Sequence, residues 1–80
     1  MKINRVLVLD DESSIRIALF RALEKKGYQV LTAGSISEAD TLSSGESRLD
    51  LLITDLRLPD GQGLDFMSKI QKGHQCPAIV

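Results

Sequence analysis

The sequence predicts an α/β fold, a doubly wound parallel sheet, and three observations carry that prediction. Two short apolar runs, Val6 to Leu9 and Leu49 to Thr54, are rich in branched side chains, as strands covered on both faces are. The stretches that follow them repeat apolar residues at helical spacing. The links between successive strands are long enough for helical crossovers, and right-handed crossovers make parallel neighbours.

Val6 to Leu9 reads as a central strand. Ile15, Ala18, Leu19, Ala22 and Leu23 then recur on one helical face, and Glu24, Lys25 and Lys26 lead into Gly27. Glycine is the residue best suited to the left-handed position after a helix, so the first helix is expected over Ser14 to Lys26, its lysines complementing the dipole at its end. Tyr28 to Ala33 mixes polar residues with β-branched Val30 and Thr32, which fits a less buried strand at the sheet edge. Ser35 and Glu38 have the spacing of a capping box, with Ile36, Ala39 and Leu42 as the stripe of a short helix ending near Ser43, Ser44 and Gly45. Leu49 to Thr54 is the second strongly apolar strand, with Leu51, Leu52 and Ile53 as its core. Leu58 to Gly63 contains Pro59, Asp60 and two glycines and reads as a turn-forming loop. The helix after it carries Leu64, Met67 and Ile70 on one side, with Phe66 also read as packing, and Gly73 closes it. Pro77 to Val80 reads as a buried fourth strand that stops at the last residue, so residues 1–80 are expected to be part of a longer domain.

Composition excludes several classes of function. Ten basic and eleven acidic side chains leave a net charge of −1, which provides no positive field for nucleic acid or anionic lipid. The single Cys76 cannot form an internal disulfide, and no Cys/His spacing suggests zinc, which points to the cytoplasm. Met1 to Arg5 is a brief polar lead into a four-residue apolar run, too short for a signal peptide or a membrane span.

The chemistry concentrates in three carboxylates. Open parallel sheets bind ligands outside the carboxyl ends of their strands. Asp10 and Asp11 follow the first strand and Asp55 follows the third, so making those strands neighbours brings the three acids together. One carboxylate pair at about 4 Å repels by roughly 4 kcal/mol at an effective dielectric of about 20, so the group calls for a cation or a proton. An oxygen-only ligand set at a partly open site favours Mg²⁺, which often shares its coordination with phosphate. Asp55, at the mouth of a strand and ahead of a Gly-rich loop, is the best placed nucleophile for phosphoryl transfer. Taken singly, each acid is better read as a solvated strand-end or helix-start residue, and only the joint placement of the three points to function. Asp60 and Gly61 read as turn chemistry, and the Arg57 side chain reads as exposed.

The segments Val6-Leu7-Val8-Leu9-Asp10-Asp11-Glu12 and Asp50-Leu51-Leu52-Ile53-Thr54-Asp55-Leu56-Arg57-Leu58-Pro59-Asp60-Gly61 resemble the acidic pair and the phosphoacceptor strand-loop of the response-regulator receiver domains of bacterial two-component systems. The resemblance implies a flavodoxin-like sheet of strand order 2-1-3-4 with the fifth strand absent. It implies phosphorylation of Asp55 by a sensor histidine kinase, and Mg²⁺ held by Asp11, Asp55 and the backbone carbonyl of Arg57, with Asp10 acting mainly through water. It also implies an output domain in the longer protein, most similar to those of transcriptional regulators. Such a domain is a switch and not a conventional enzyme.

Receivers usually place a Thr or Ser after the fourth strand and a Lys after the fifth, and neither has a counterpart in these 80 residues. Weak phosphorylation without switching is therefore expected of this segment alone, and its exposed fourth strand is expected to favour oligomerisation or strand exchange. Two alternatives stand beside this reading. One is a binding-only pseudo-receiver. The other is a Mg²⁺-dependent phosphohydrolase, although such enzymes usually carry a second acid two residues after the nucleophile, where this chain has Arg57.

Overall fold

The computed structural model describes residues 4–44, 49–74 and 78–79. The elements run β1 (Arg5–Leu9), α1 (Ser13–Lys25), β2 (Gln29–Ala33), α2 (Ile36–Ser44), β3 (Leu51–Thr54), β4 (Arg57–Leu58), β5 (Gly61–Gln62), α3 (Gly63–His74) and β6 (Ala78–Ile79). Four of the strands form one parallel sheet in the order β2-β1-β3-β6, and β4 pairs with β5 in a separate antiparallel ribbon. Counting the sheet strands alone, this is the expected order 2-1-3-4. Gly45, Cys76, Pro77 and Val80, on which some expectations fall, lie outside the described residues, as does the Met1 end of the polar lead.

Side-chain alternation divides the sheet into two faces. Leu7 and Leu9 of β1, Ala33 of β2 and Leu52 of β3 point to one side, where they join Ala39, Leu49, Phe66 and Ile70 in the main core. Val6 and Val8 are equally buried but point the other way, toward α1. The central position of β1, with a strand on either side, explains why its apolar run is continuous: both faces are covered.

The helices depart from their expected stripes in informative ways. No residue of α1 is fully buried, and Ile15 and Ile17 stay 40% and 52% exposed. Leu19 and Leu23 are half-buried, whereas Ala18 and Ala22 face out with Ile15. Among the described residues α1 is the single helix on that face, so only one flank of its stripe has a surface to pack on. Its C-terminus behaves as expected. Gly27 has φ 94°, its N–H donates to Glu24 O, and Tyr28 N–H donates to Leu23 O, which together make a Schellman closure.

In α3 the buried stripe is Gly63, Phe66 and Ile70, with Met67 half-buried, while Leu64 is 47% exposed. These inward positions are spaced i, i+3, i+4 and i+7, and Leu64, one residue off that row, turns to solvent. The helix runs through Gly73 to His74, so the glycine does not end it.

β3 is shorter than its apolar run. Leu49 and Asp50 precede it and are both buried. Asp50 Oδ2 accepts the amides of Asn4 and Arg5 at 2.9 Å each, and Asp50 N–H donates to Arg5 O. A carboxylate thus ties the start of β3 to the start of β1. The expected strand core also shifts: Leu52 is buried, while Leu51 and Ile53 are half-buried on the thinly covered face.

Candidate functional site

The site lies at the carboxyl ends of β1 and β3, where backbone pairing decides how the acids meet. Asp10 N–H donates to Ala33 O at 3.0 Å, continuing the β1–β2 ladder by one residue, and Asp55 N–H donates to Leu9 O at 2.9 Å, continuing the β1–β3 ladder. The two residues following neighbouring strands are thereby brought side by side. One oxygen from each of Asp10, Asp11 and Asp55 lies within 4.8 Å of the others. The sequence expectation that these three converge is met.

Each acid has a distinct setting. Asp10 is half-buried, and its Oδ1 accepts the Glu12 amide at 3.0 Å, which shapes the turn into α1. Asp11 is exposed. Asp55 is also exposed, and its Oδ1 accepts the amide of Leu56 at 2.7 Å, which leaves Oδ2 as the less encumbered oxygen. Among the described residues, none of the three is ion-paired. A guanidinium stands close by: Arg16 Nη1 donates to the backbone carbonyl of Asp10 at 2.7 Å. Gly34 lies under that guanidinium: a Cβ there would meet Nη1 at 2.9 Å. Asp10 and Asp55 border a cleft of about 270 Å³ whose wall includes Ile15, Leu19 and Ile53, so charge gathers at the edge of an apolar surface.

This donor set fits a hard divalent cation. It offers carboxylate oxygens only, with no sulfur or imidazole, and two of the three groups are open to solvent, so water can complete a coordination shell. Arg57 stands on β4, two residues beyond Asp55, with its side chain exposed as expected.

The backbone of Asp55 is held as firmly as its neighbours allow. Buried Thr54 donates its hydroxyl to Asp55 O at 2.9 Å. Gly63, buried at the start of α3, packs directly on the same carbonyl, and its N–H donates to Leu56 O at 2.8 Å. The segment from Leu56 to Gly63 therefore closes on itself. The expected loop is in part a β4–β5 ribbon with Pro59 and Asp60 at its tip. Asp60, read from sequence as a turn residue, reaches farther than a turn. Its two oxygens accept the Ile36 and Ser37 amides at 2.8 Å each, and these bonds to the N-terminus of α2 hold its carboxyl below the usual value of 3.8. Sequence reasoning missed Thr54, Gly63, Arg16 and Asp60. Only the Gly-rich loop gave any hint, for Gly63.

Comparison with known proteins agrees with this geometry. The family model for the response regulator receiver domain matches residues 6–80. The KDP operon transcriptional regulatory protein KdpE of Escherichia coli is 37% identical over 75 residues, which is 94% of this chain and 33% of that protein. The non-phosphorylated receiver domain of HemR from Leptospira biflexa superposes with a TM-score of 0.80 at 38% identity, covering 90% of this chain and 57% of the other. The beryllofluoride-activated NtrC4 receiver domain dimer superposes at 0.84 with 35% identity, covering 95% and 63%. The chain spans about a third of the length of KdpE and less than a fifth of the length of other curated relatives it matches.

Proposed function

The chain belongs to the response regulator receiver family, and from that premise we propose that Asp55 is the residue that accepts the phosphoryl group. The observation that carries the proposal is the meeting of Asp10, Asp11 and Asp55 within 4.8 Å at the ends of two paired strands. A domain of this family is a phosphorylation-dependent signalling switch, and the acidic cluster is where its chemistry is possible.

The nucleophile is Asp55 Oδ2, since Oδ1 is engaged by the Leu56 amide. It attacks phosphorus, the bond from phosphorus to the donor's imidazole nitrogen breaks, and the bonding pair leaves with that nitrogen. The product is an acyl phosphate on Asp55. Thr54 and Gly63 hold the Asp55 backbone, so the carboxylate swings from a fixed pivot. Asp10, Asp11, Asp55 and the Arg57 carbonyl are the residues that would hold Mg²⁺, whose chemistry is to neutralise charge on the transferring group.

The phosphodonor in this reading is a phosphohistidine on a sensor kinase, and the response is passed to an output domain in the longer protein. Transcriptional control is supported by relatives such as KdpE. A cytoplasmic site of action belongs to the same reading; the described residues contain no helix long and apolar enough to cross a membrane. The described residues supply the acids of the site. β6 forms an edge of the sheet, where a second chain could add a strand, and sedimentation tests that part of the reading.

Incubation of the full chain with acetyl phosphate and Mg²⁺, followed by intact-mass and peptide analysis, tests the assignment. A single phosphate mapped to Asp55 and lost in Asp55→Ala is expected. No label under conditions where Mg²⁺ binds would instead favour a binding-only pseudo-receiver, and multiple turnover on a phosphoester would favour a hydrolase.

A further inference from the structure

We propose that Asp60 is a positioning residue for the phosphoacceptor loop: it ties the β4–β5 ribbon to the start of α2 and so sets where the Arg57 carbonyl lies relative to the three acids. The proposal rests on the reading of Asp10, Asp11, Asp55 and Arg57 as the metal and phosphoryl site.

The amides at the start of α2 show what Asp60 does. A helix leaves its first four N–H groups without helical partners. Here Glu38 N–H, one of these, donates to Ser35 Oγ, and the regular helical bonds begin with Ala39 N–H on Ser35 O. Glu38, which a capping box would turn back onto the Ser35 amide, instead accepts from Gly34 N–H at 2.6 Å. The Ile36 and Ser37 amides are both served by Asp60, 24 and 23 residues away in sequence. Its charge also suits the positive end of the helix.

The ribbon needs such an anchor. It has only two cross-strand pairs, Arg57 with Gln62 and Leu58 with Gly61, and a ribbon that small has little stability of its own. Its base is closed by Gly63 N–H on Leu56 O, but its tip leans on the rest of the protein through Asp60 and through Gly61. Gly61 packs so closely on Ile36 that a Cβ would come within 2.7 Å of Ile36 Cδ1. Pro59 restricts the backbone ahead of Asp60 and points the tip. Arg57 begins the ribbon strand that this tip controls, so release of Asp60 frees the carbonyl donor while leaving the carboxylates in place. Asp60 is exposed, so its loss releases amides to water and spares the core.

The test is Mg²⁺ binding by the full chain, followed by NMR through the amide shifts of Asp11, Leu56 and Arg57, in wild type, Asp60→Ala and Asp60→Asn. Hydrogen exchange at Ile36 and Ser37 and thermal unfolding are measured alongside. Asp60→Ala is expected to raise the Kd for Mg²⁺ about tenfold, the low end of what losing an outer-shell partner brings. Faster exchange at Ile36 and Ser37 and little change in unfolding temperature should accompany it. Asp60→Asn, which retains one acceptor oxygen, should fall between the two, and it carries the test if the alanine variant does not fold. Equal Mg²⁺ affinity in wild type and variant, with the two amides exchanging faster, overturns the proposal and leaves the site reading intact. Failure of wild type to bind Mg²⁺ at these amides overturns the site reading and this proposal with it.

Discussion

Substituting Gly63 by alanine sets two effects of opposite sign against each other. Gly63 lies at the start of α3 with a negative φ, unlike Gly27 and Gly61, so alanine meets no backbone penalty there. Helix propensity alone would favour the change by up to about 1 kcal/mol. Against that, the added Cβ would overlap the Asp55 carbonyl oxygen and come within 2.8 Å of Thr54 Oγ1, closer than Cβ atoms are found to tolerate. The obstacle is backbone, pinned by the Asp55 N–H bond to Leu9 O and by the Thr54 hydroxyl, so no flexible side chain can move aside. Overpacking of this kind costs about 1–3 kcal/mol, and a pinned backbone places this case at about 3. The net loss is then about 2 kcal/mol, or a fall in Tm of about 8–16 °C for a domain of this size. Thermal unfolding by circular dichroism reads the loss, and a Mg²⁺ titration reads the displaced Asp55. An alanine variant that melts at or above wild type would refute the packing argument, because propensity alone predicts that sign.

Three further outcomes follow from particular contacts. Asp50→Ala strips the acceptor from the Asn4 and Arg5 amides at a buried position and should cost about 2–3 kcal/mol in denaturant unfolding; an unchanged midpoint would show that the tie between β1 and β3 contributes nothing. Lys69→Ala removes a pair with Asp40 whose side chains are 66% and 47% exposed, so stability should change by less than about 0.5 kcal/mol, and a larger loss would contradict the solvent-screened reading. Asp60 has a folded pKa below its ordinary 3.8, so the unfolded chain binds its proton more readily. Its stabilising effect is therefore full above pH 3.8 and is lost as pH falls through the lower folded value. The Ile36 and Ser37 amide shifts should titrate together with a midpoint below 3.8, and a midpoint at or above it would dissociate them from Asp60.

Periodicity and punctuation carried most of the architecture. The unbroken run Val6 to Leu9 announces a strand covered twice, and it is the strand at the centre of the sheet. Gly27 announces a left-handed closure, and its φ is 94°. The gathering of Asp10, Asp11 and Asp55 was legible because their position one or two residues past paired strands follows from topology, which alternation and right-handed crossovers dictate.

What tertiary structure decided lies in contacts that no local pattern encodes. Ile15 matches its helical stripe but is 40% exposed, since burial depends on whether a surface stands opposite and not on spacing alone. Asp50 reads as part of a strand and Asp60 as part of a turn, yet both carboxylates satisfy backbone amides far away in the chain. A carboxylate seeks whichever unpaired donors folding brings within reach, and that choice is made by the packed chain after its elements have formed.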